Sequence, residues 1–144
     1  MIINEYNNIN NVITSISFFI LGIILYIKKK DFISISIIFV GIMSILNHTN
    51  ESSQWWIYDL DHKSQIPINN SFVIRILDYW CIITLFLLYL IKYGYKLFFW
   101  IVNLIIYILF SLPKILNLDR KKYILTHNLI HIIVLISIIY FEFY

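Results

Sequence analysis

The chain has 144 residues, 60% of them hydrophobic and only 13% charged, with a net charge of +3 and a mean hydropathy of +0.81. Hydrophobicity of that order, spread over several long runs, excludes an ordinary soluble domain and predicts an all-α, multi-pass membrane protein. No basic run interleaved with aromatics is present to serve nucleic acid, and the single cysteine, Cys81, forms no internal disulfide.

The first residues, Met1 to Asn8, lack the basic stretch of a signal peptide, so the apolar run that follows is expected to remain as a helix of the mature protein. Five apolar segments are predicted, over 12–27, 32–48, 72–91, 97–112 and 123–140. Lys28-Lys29-Lys30 closes the first. The second ends at His48 and is followed by a polar loop, Thr49 to Asn70, whose Trp55 and Trp56 suit a membrane interface. Lys92-Tyr-Gly-Tyr-Lys96 ends the third, Pro113 is expected to stop the fourth, and a basic linker from Lys114 to Lys122 leads into the fifth. The shorter segments span about 25 Å, at the low end of what crosses a bilayer. With no internal repeat and nothing left over for a soluble module, residues 1–144 read as one transmembrane helical domain.

Five crossings fix relative sidedness. The second segment ends on the side where the first begins, and the third and fifth segments begin there too. His48, Asp78 and the pair His127 and His131 therefore lie near one membrane face, within about 10 Å of it in depth. Lysines and arginines divide evenly between the two faces. The triple lysine, together with Glu5, Glu51, Asp59 and Asp61 on the opposite side, tilts the N-terminus and the histidine face to the non-cytoplasmic side, at the cell surface or in the ER and Golgi.

His127 and His131 are four residues apart and share a helix face about 6 Å apart, as do Ser44 and His48. An imidazole in an apolar run is a functional candidate by default, and an Asp there costs about 2.5–3.5 kcal/mol at the bilayer centre. Three histidines from two helices offer a tetrahedral zinc three nitrogens and leave one position for a water whose pKa falls to about 7. Asp78 can take that water's proton as general base, and Ser44 can hydrogen-bond the water or a developing oxyanion. Each group also has a plainer reading. A His pair at this spacing arises by chance, Asp78 can pair with Arg75 on its own helix, and Ser44 can bond back to its helix backbone. His62 reads as solvated and Cys81 as an apolar filler.

With Ser44-x-x-x-His48, an Asp heading the next segment and His127-x-x-x-His131 opening the last, the chain resembles the CREST superfamily of membrane hydrolases. That group holds alkaline ceramidases, adiponectin-receptor-like proteins, GPI-lipid-remodelling acyl hydrolases and myomaker-like proteins. Glu5-Tyr-Asn-Asn-Ile-Asn-Asn-Val resembles the start of ceramidase helix one, and Glu5, Asn8, Asn11 and Ser15 share one helical face. Tyr123-x-x-x-His127-x-x-x-His131 is more similar to the myomaker-related branch. The resemblance implies zinc ligands at His48, His127 and His131, water-orienting roles for Ser44 and Asp78, and a shortened form of a seven-helix bundle. Asp59 matches the ceramidase spacing from His48, whereas Asp78 has the expected place in the next segment. The ceramidase calcium site calls for an acidic cluster before helix one, where this chain offers Glu5 alone.

The expected activity is zinc-dependent hydrolysis of a lipid amide or ester within the bilayer, most like that of an alkaline ceramidase. The alternative is a non-enzymatic multi-pass protein, receptor-like or myomaker-like, with a structural zinc. A transporter would need polar groups through the full membrane depth, and the far halves of these segments are nearly all Ile, Leu and Phe.

Overall fold

The computed structural model describes residues 9–51, 70–116 and 120–144. Five helices follow one another: α1 (Ile9–Lys29), α2 (Phe32–Glu51), α3 (Asn70–Tyr93), α4 (Leu97–Ile115) and α5 (Arg120–Phe143). The protein is an all-α membrane protein. α1, α2, α3 and α5 are long and apolar enough to cross a bilayer, and α4 carries a shorter apolar stretch, Leu97–Pro113. Large apolar side chains such as Ile20, Phe39, Trp80, Leu104 and Tyr107 cover the outside. In water such a surface would be unstable, whereas hydrocarbon asks only that backbone polar groups be satisfied within each helix. Trp55, Trp56, Asp59, His62 and Glu5, named from the sequence, lie outside the described residues.

The helices run further than the apolar segments that predict them. α1 begins three residues earlier because Asn11 and Ser15 turn inward and are buried, so its polar start belongs to the bundle interior. α4 continues through Pro113, the expected stop, to Ile115. A proline in the last turn forfeits only one intrahelical bond, and the Leu116 N–H still reaches the Leu112 carbonyl. α5 runs past Tyr140 to include a buried acid, Glu142.

α1 and α2 form the tightest pair. A Cβ on Gly22 would stand 2.7 Å from the Ile38 backbone nitrogen, and one on Gly41 would stand 2.5 Å from that of Phe19. Such contact is the way membrane helices gain packing energy without a hydrophobic drive between them. Leu25 and Ile37 fill the seam of this pair, in a core continuous with Leu85, Tyr89, Phe99 and Phe141 from the other helices.

The turn between α1 and α2 is short. Lys30 takes a left-handed conformation (φ 50°) and its N–H closes on the Tyr26 carbonyl. Asp31 then caps α2, accepting the Ser34 N–H at 2.9 Å and the Ser34 hydroxyl at 2.6 Å. Partial burial pushes the Asp31 carboxyl up, but the Ser34 bonds and the nearby Lys92 and Lys29 outweigh it and hold the group below its ordinary value of 3.8. A depressed folded-state value means that the cap stabilises the protein fully above the unfolded value and loses its effect as pH falls through the folded one. Asp31→Ala is expected to cost about 1 kcal/mol at neutral pH. That difference from the native chain should vanish in acid, which denaturation midpoints at a series of pH values will show.

Contacts at the two ends of the bundle establish the alternation of the helices. Thr14, His48, Asp78 and His131 gather at one end, and Lys29, Lys92 and Glu142 at the other. α1, α3 and α5 therefore run one way and α2 the other, with the start of α4 beside Phe141 near the lysine end.

Candidate metal centre

The histidines come from two helices that the sequence separates by some eighty residues. His48 is 2% exposed on the last turns of α2, and His127 and His131 project from successive turns of α5. The ring centroids of His48 lie 5.2 Å from His127 and 5.1 Å from His131, and the α5 pair is 4.7 Å apart. None of the three pairs is stacked, with interplanar angles of 75°, 54° and 53°. One nitrogen from each ring lies within 4.8 Å of the other two, so the three histidines are close enough to hold a metal ion. By triangle geometry a single point lies within about 2.8 Å of all three, and small side-chain rotations close the remainder to the Zn–N distance of about 2.0–2.1 Å. Three nitrogen donors with no thiolate suit zinc and several other divalent transition metals.

α1 closes the site from one side. Phe18 meets the His131 ring edge-on at 5.8 Å. Thr14 Oγ1 lies 3.0 Å from His131 Nδ1 and 3.0 Å from each of the Asn10 and Asn11 carbonyls. Carbonyls only accept, so the threonine hydroxyl gives them its one hydrogen and receives the Nδ1–H of His131. That assignment leaves the Nε2 lone pair of His131 available to a metal. Thr14→Val keeps the shape and removes the acceptor. It is expected to weaken zinc binding by about 10–100-fold in chelator competition, with Thr14→Ser restoring most of the loss.

Comparison with known protein families, characterised proteins and solved structures finds no match to this chain. The site must therefore be read from its own geometry.

Ser44 is buried one turn before His48, and its hydroxyl lies 2.8 Å from that of Ser15. Ser15 donates its hydrogen to the Asn11 carbonyl at 2.6 Å, so in the serine pair Ser44 is the donor. The chain of donation Ser44 to Ser15 to Asn11 leaves lone pairs on the Ser44 oxygen. The sequence casts Ser44 as a donor to the water or to an oxyanion; with its hydrogen given to Ser15, its oxygen is left as an acceptor.

Asp78 is 5% exposed and accepts a hydrogen bond from Asn47 Nδ2 at 2.9 Å. Asn47, itself buried, is the residue next to His48, so one turn of α2 carries both a histidine of the cluster and the group that holds Asp78. Arg75, the alternative partner on the same helix, is half-buried, and the free thiol of Cys81 sits one turn beyond Asp78. Asn47 and Thr14 carry no signal in the sequence beyond their polarity inside apolar runs. Asn128, next to His127 in the sequence, stands 3.4 Å from Thr14.

Proposed function

We propose that the chain is a zinc-dependent intramembrane hydrolase of a lipid amide or ester, with the alkaline ceramidases of the CREST superfamily as the nearest chemical likeness. The observation that carries this reading is the meeting of His48, His127 and His131 beside two buried polar pairs, Ser44 with Ser15 and Asp78 with Asn47. A structural zinc site is satisfied by four protein ligands, whereas this cluster offers three among the described residues.

His48, His127 and His131 would hold the zinc, which supplies Lewis acidity and a lowered pKa for an attacking water. Asp78 accepts the proton of that water as general base. Asn47 fixes the orientation of the Asp78 carboxylate by binding one of its oxygens, and Ser44, its hydrogen given to Ser15, would serve as an acceptor toward a water. Thr14 fixes the His131 ring.

The substrate class follows from the surroundings. A largely apolar cleft of about 360 Å³ opens between α3, α4 and α5, lined by Ile82, Leu85, Phe86, Val134 and Ile138 with Asn103 and Ser137 among them. Ile82 is one turn from Asp78 and Val134 one turn from His131, so the cleft begins where the polar site ends. A lipid with its carbonyl at the histidines and a chain in the cleft suits that arrangement. We place the site end of the bundle on the non-cytoplasmic side.

Metal analysis tests the assignment. Purified protein is expected to hold about one zinc per chain, and a His127→Ala, His131→Ala double variant none. Folded native protein that binds no divalent metal would sink the proposal.

A further inference from the structure

The end of the bundle opposite the histidines is built of two short turns rich in lysine. Five lysines gather there, Lys28, Lys29 and Lys30 on the α1–α2 turn and Lys92 and Lys96 around the α3–α4 turn, against two carboxylates, Asp31 and Glu142. Two of the lysines are committed. Lys29 Nζ donates to the Glu142 carboxylate at 2.6 Å and to its backbone carbonyl at 2.7 Å, and Lys92 binds the same carboxylate at 3.2 Å. Asp31, close to both, completes a neutral set of two lysines and two acids. Lys28, Lys30 and Lys96 remain, an excess of three positive charges.

Lys28 and Lys96 are held in place without being neutralised. The Lys28 ammonium lies 4.6 Å from the centroid of the Phe143 ring, and that of Lys96 lies 5.3 Å from Tyr93 and 5.9 Å from Phe141. An aromatic face positions an ammonium and leaves its N–H donors free. Lys30 is exposed and has no side-chain partner among the described residues. It also occupies a left-handed backbone position, where glycine would sit without steric cost, so a lysine there is retained at some expense to the fold. Both turns are only two or three residues long, which keeps the three ammoniums on a rigid rim.

Directly beside this rim stand large apolar side chains with no protein cover: Ile27, Ile91, Tyr95 and Leu97, 70% to 82% exposed. Fixed cations above an uncovered apolar wall match a molecule with an anionic head and hydrocarbon chains. A free phosphate would use the first feature alone. We propose that the lysine end is a binding surface for anionic phospholipids, with Lys28, Lys30 and Lys96 on the headgroup phosphates and Ile27, Ile91, Tyr95 and Leu97 against the acyl chains. Its position places it in the leaflet opposite the histidine cluster, and it operates whether or not that cluster turns over a substrate.

The test uses the full chain in nanodiscs of phosphatidylcholine containing a minor fraction of phosphatidylglycerol, with lipids retained by the protein counted by native mass spectrometry. Juxtamembrane lysines each strengthen such binding several-fold, so phosphatidylglycerol should be enriched at least about tenfold over its share of the bilayer. Lys28→Gln, Lys30→Gln, Lys96→Gln together should return the ratio to that of the bilayer, and the same three positions changed to arginine should keep the enrichment. Because Lys29 and Lys92 are untouched, the Glu142 cluster and the fold persist, and an unchanged melting midpoint verifies it. Enrichment that survives in the glutamine variant, no enrichment in the native chain, or displacement of the lipid by inorganic phosphate at constant ionic strength would each overturn the proposal.

Discussion

Replacing Asp78 by asparagine is expected to leave zinc bound at the three histidines while lipid turnover falls by about 10²–10⁴-fold. The substitution is close to isosteric. An amide oxygen at position 78 still accepts the Asn47 Nδ2 hydrogen that now holds the carboxylate at 2.9 Å, so side-chain position is preserved and basicity alone is lost. Single-turnover hydrolysis of a panel of ceramides, lysolipids and GPI-type esters, run beside metal analysis of the same sample, gives both readings. Retained metal with lost turnover supports general-base catalysis. Undiminished turnover would remove Asp78 from the mechanism, and a native chain without turnover on any lipid would favour the receptor-like or myomaker-like alternative.

Glu142→Ala is expected to be the most damaging substitution for the fold outside the histidine end. The Glu142 side chain is 1% exposed and takes bonds from Lys29, Lys92 and the Tyr93 hydroxyl, joining α1, α3 and α5 at one point. Removing one member of a fully buried ion pair costs about 3–5 kcal/mol. Here the lysine side chains are 34% and 37% exposed and can swing outward, so we expect about 2–3 kcal/mol. Glu142→Gln keeps one acceptor oxygen for the lysines, gives up the second, which takes the Tyr93 hydroxyl, and should cost less than alanine. Denaturation midpoints of the two variants in the same detergent measure the order. An alanine variant as stable as the native chain would show that the three helices need no such joint.

The sequence makes the histidine cluster readable because each member is expensive in an apolar segment and because the alternation of crossings brings His48, Asp78, His127 and His131 to one depth. Both arguments use cost and position, which a linear chain displays. Thr14 and Asn47 escape them because threonine and asparagine near a helix end cost little and have many ordinary uses. Only the three-dimensional register between α1 and α5, and between α2 and α3, gives them a task. Glu142 escapes for a different reason. It lies two residues past the predicted end of the fifth segment at Tyr140, and its burial depends on two lysines, one more than a hundred and the other fifty residues away in sequence, that themselves read as interfacial flanks. Pro113 misleads at the end of α4 because a local rule about interior prolines does not bind in a final turn.

The histidine set is divided between the α1–α2 hairpin and α5, which is made much later. His48 is made nearly eighty residues before His127, and the hairpin can close on its glycines long before α5 exists. A divalent ion offered to the growing chain therefore meets one imidazole, a poor chelator, until insertion of the final helix triples the donors at once. Any metal held by all three histidines can therefore be bound only after α5 has joined the bundle.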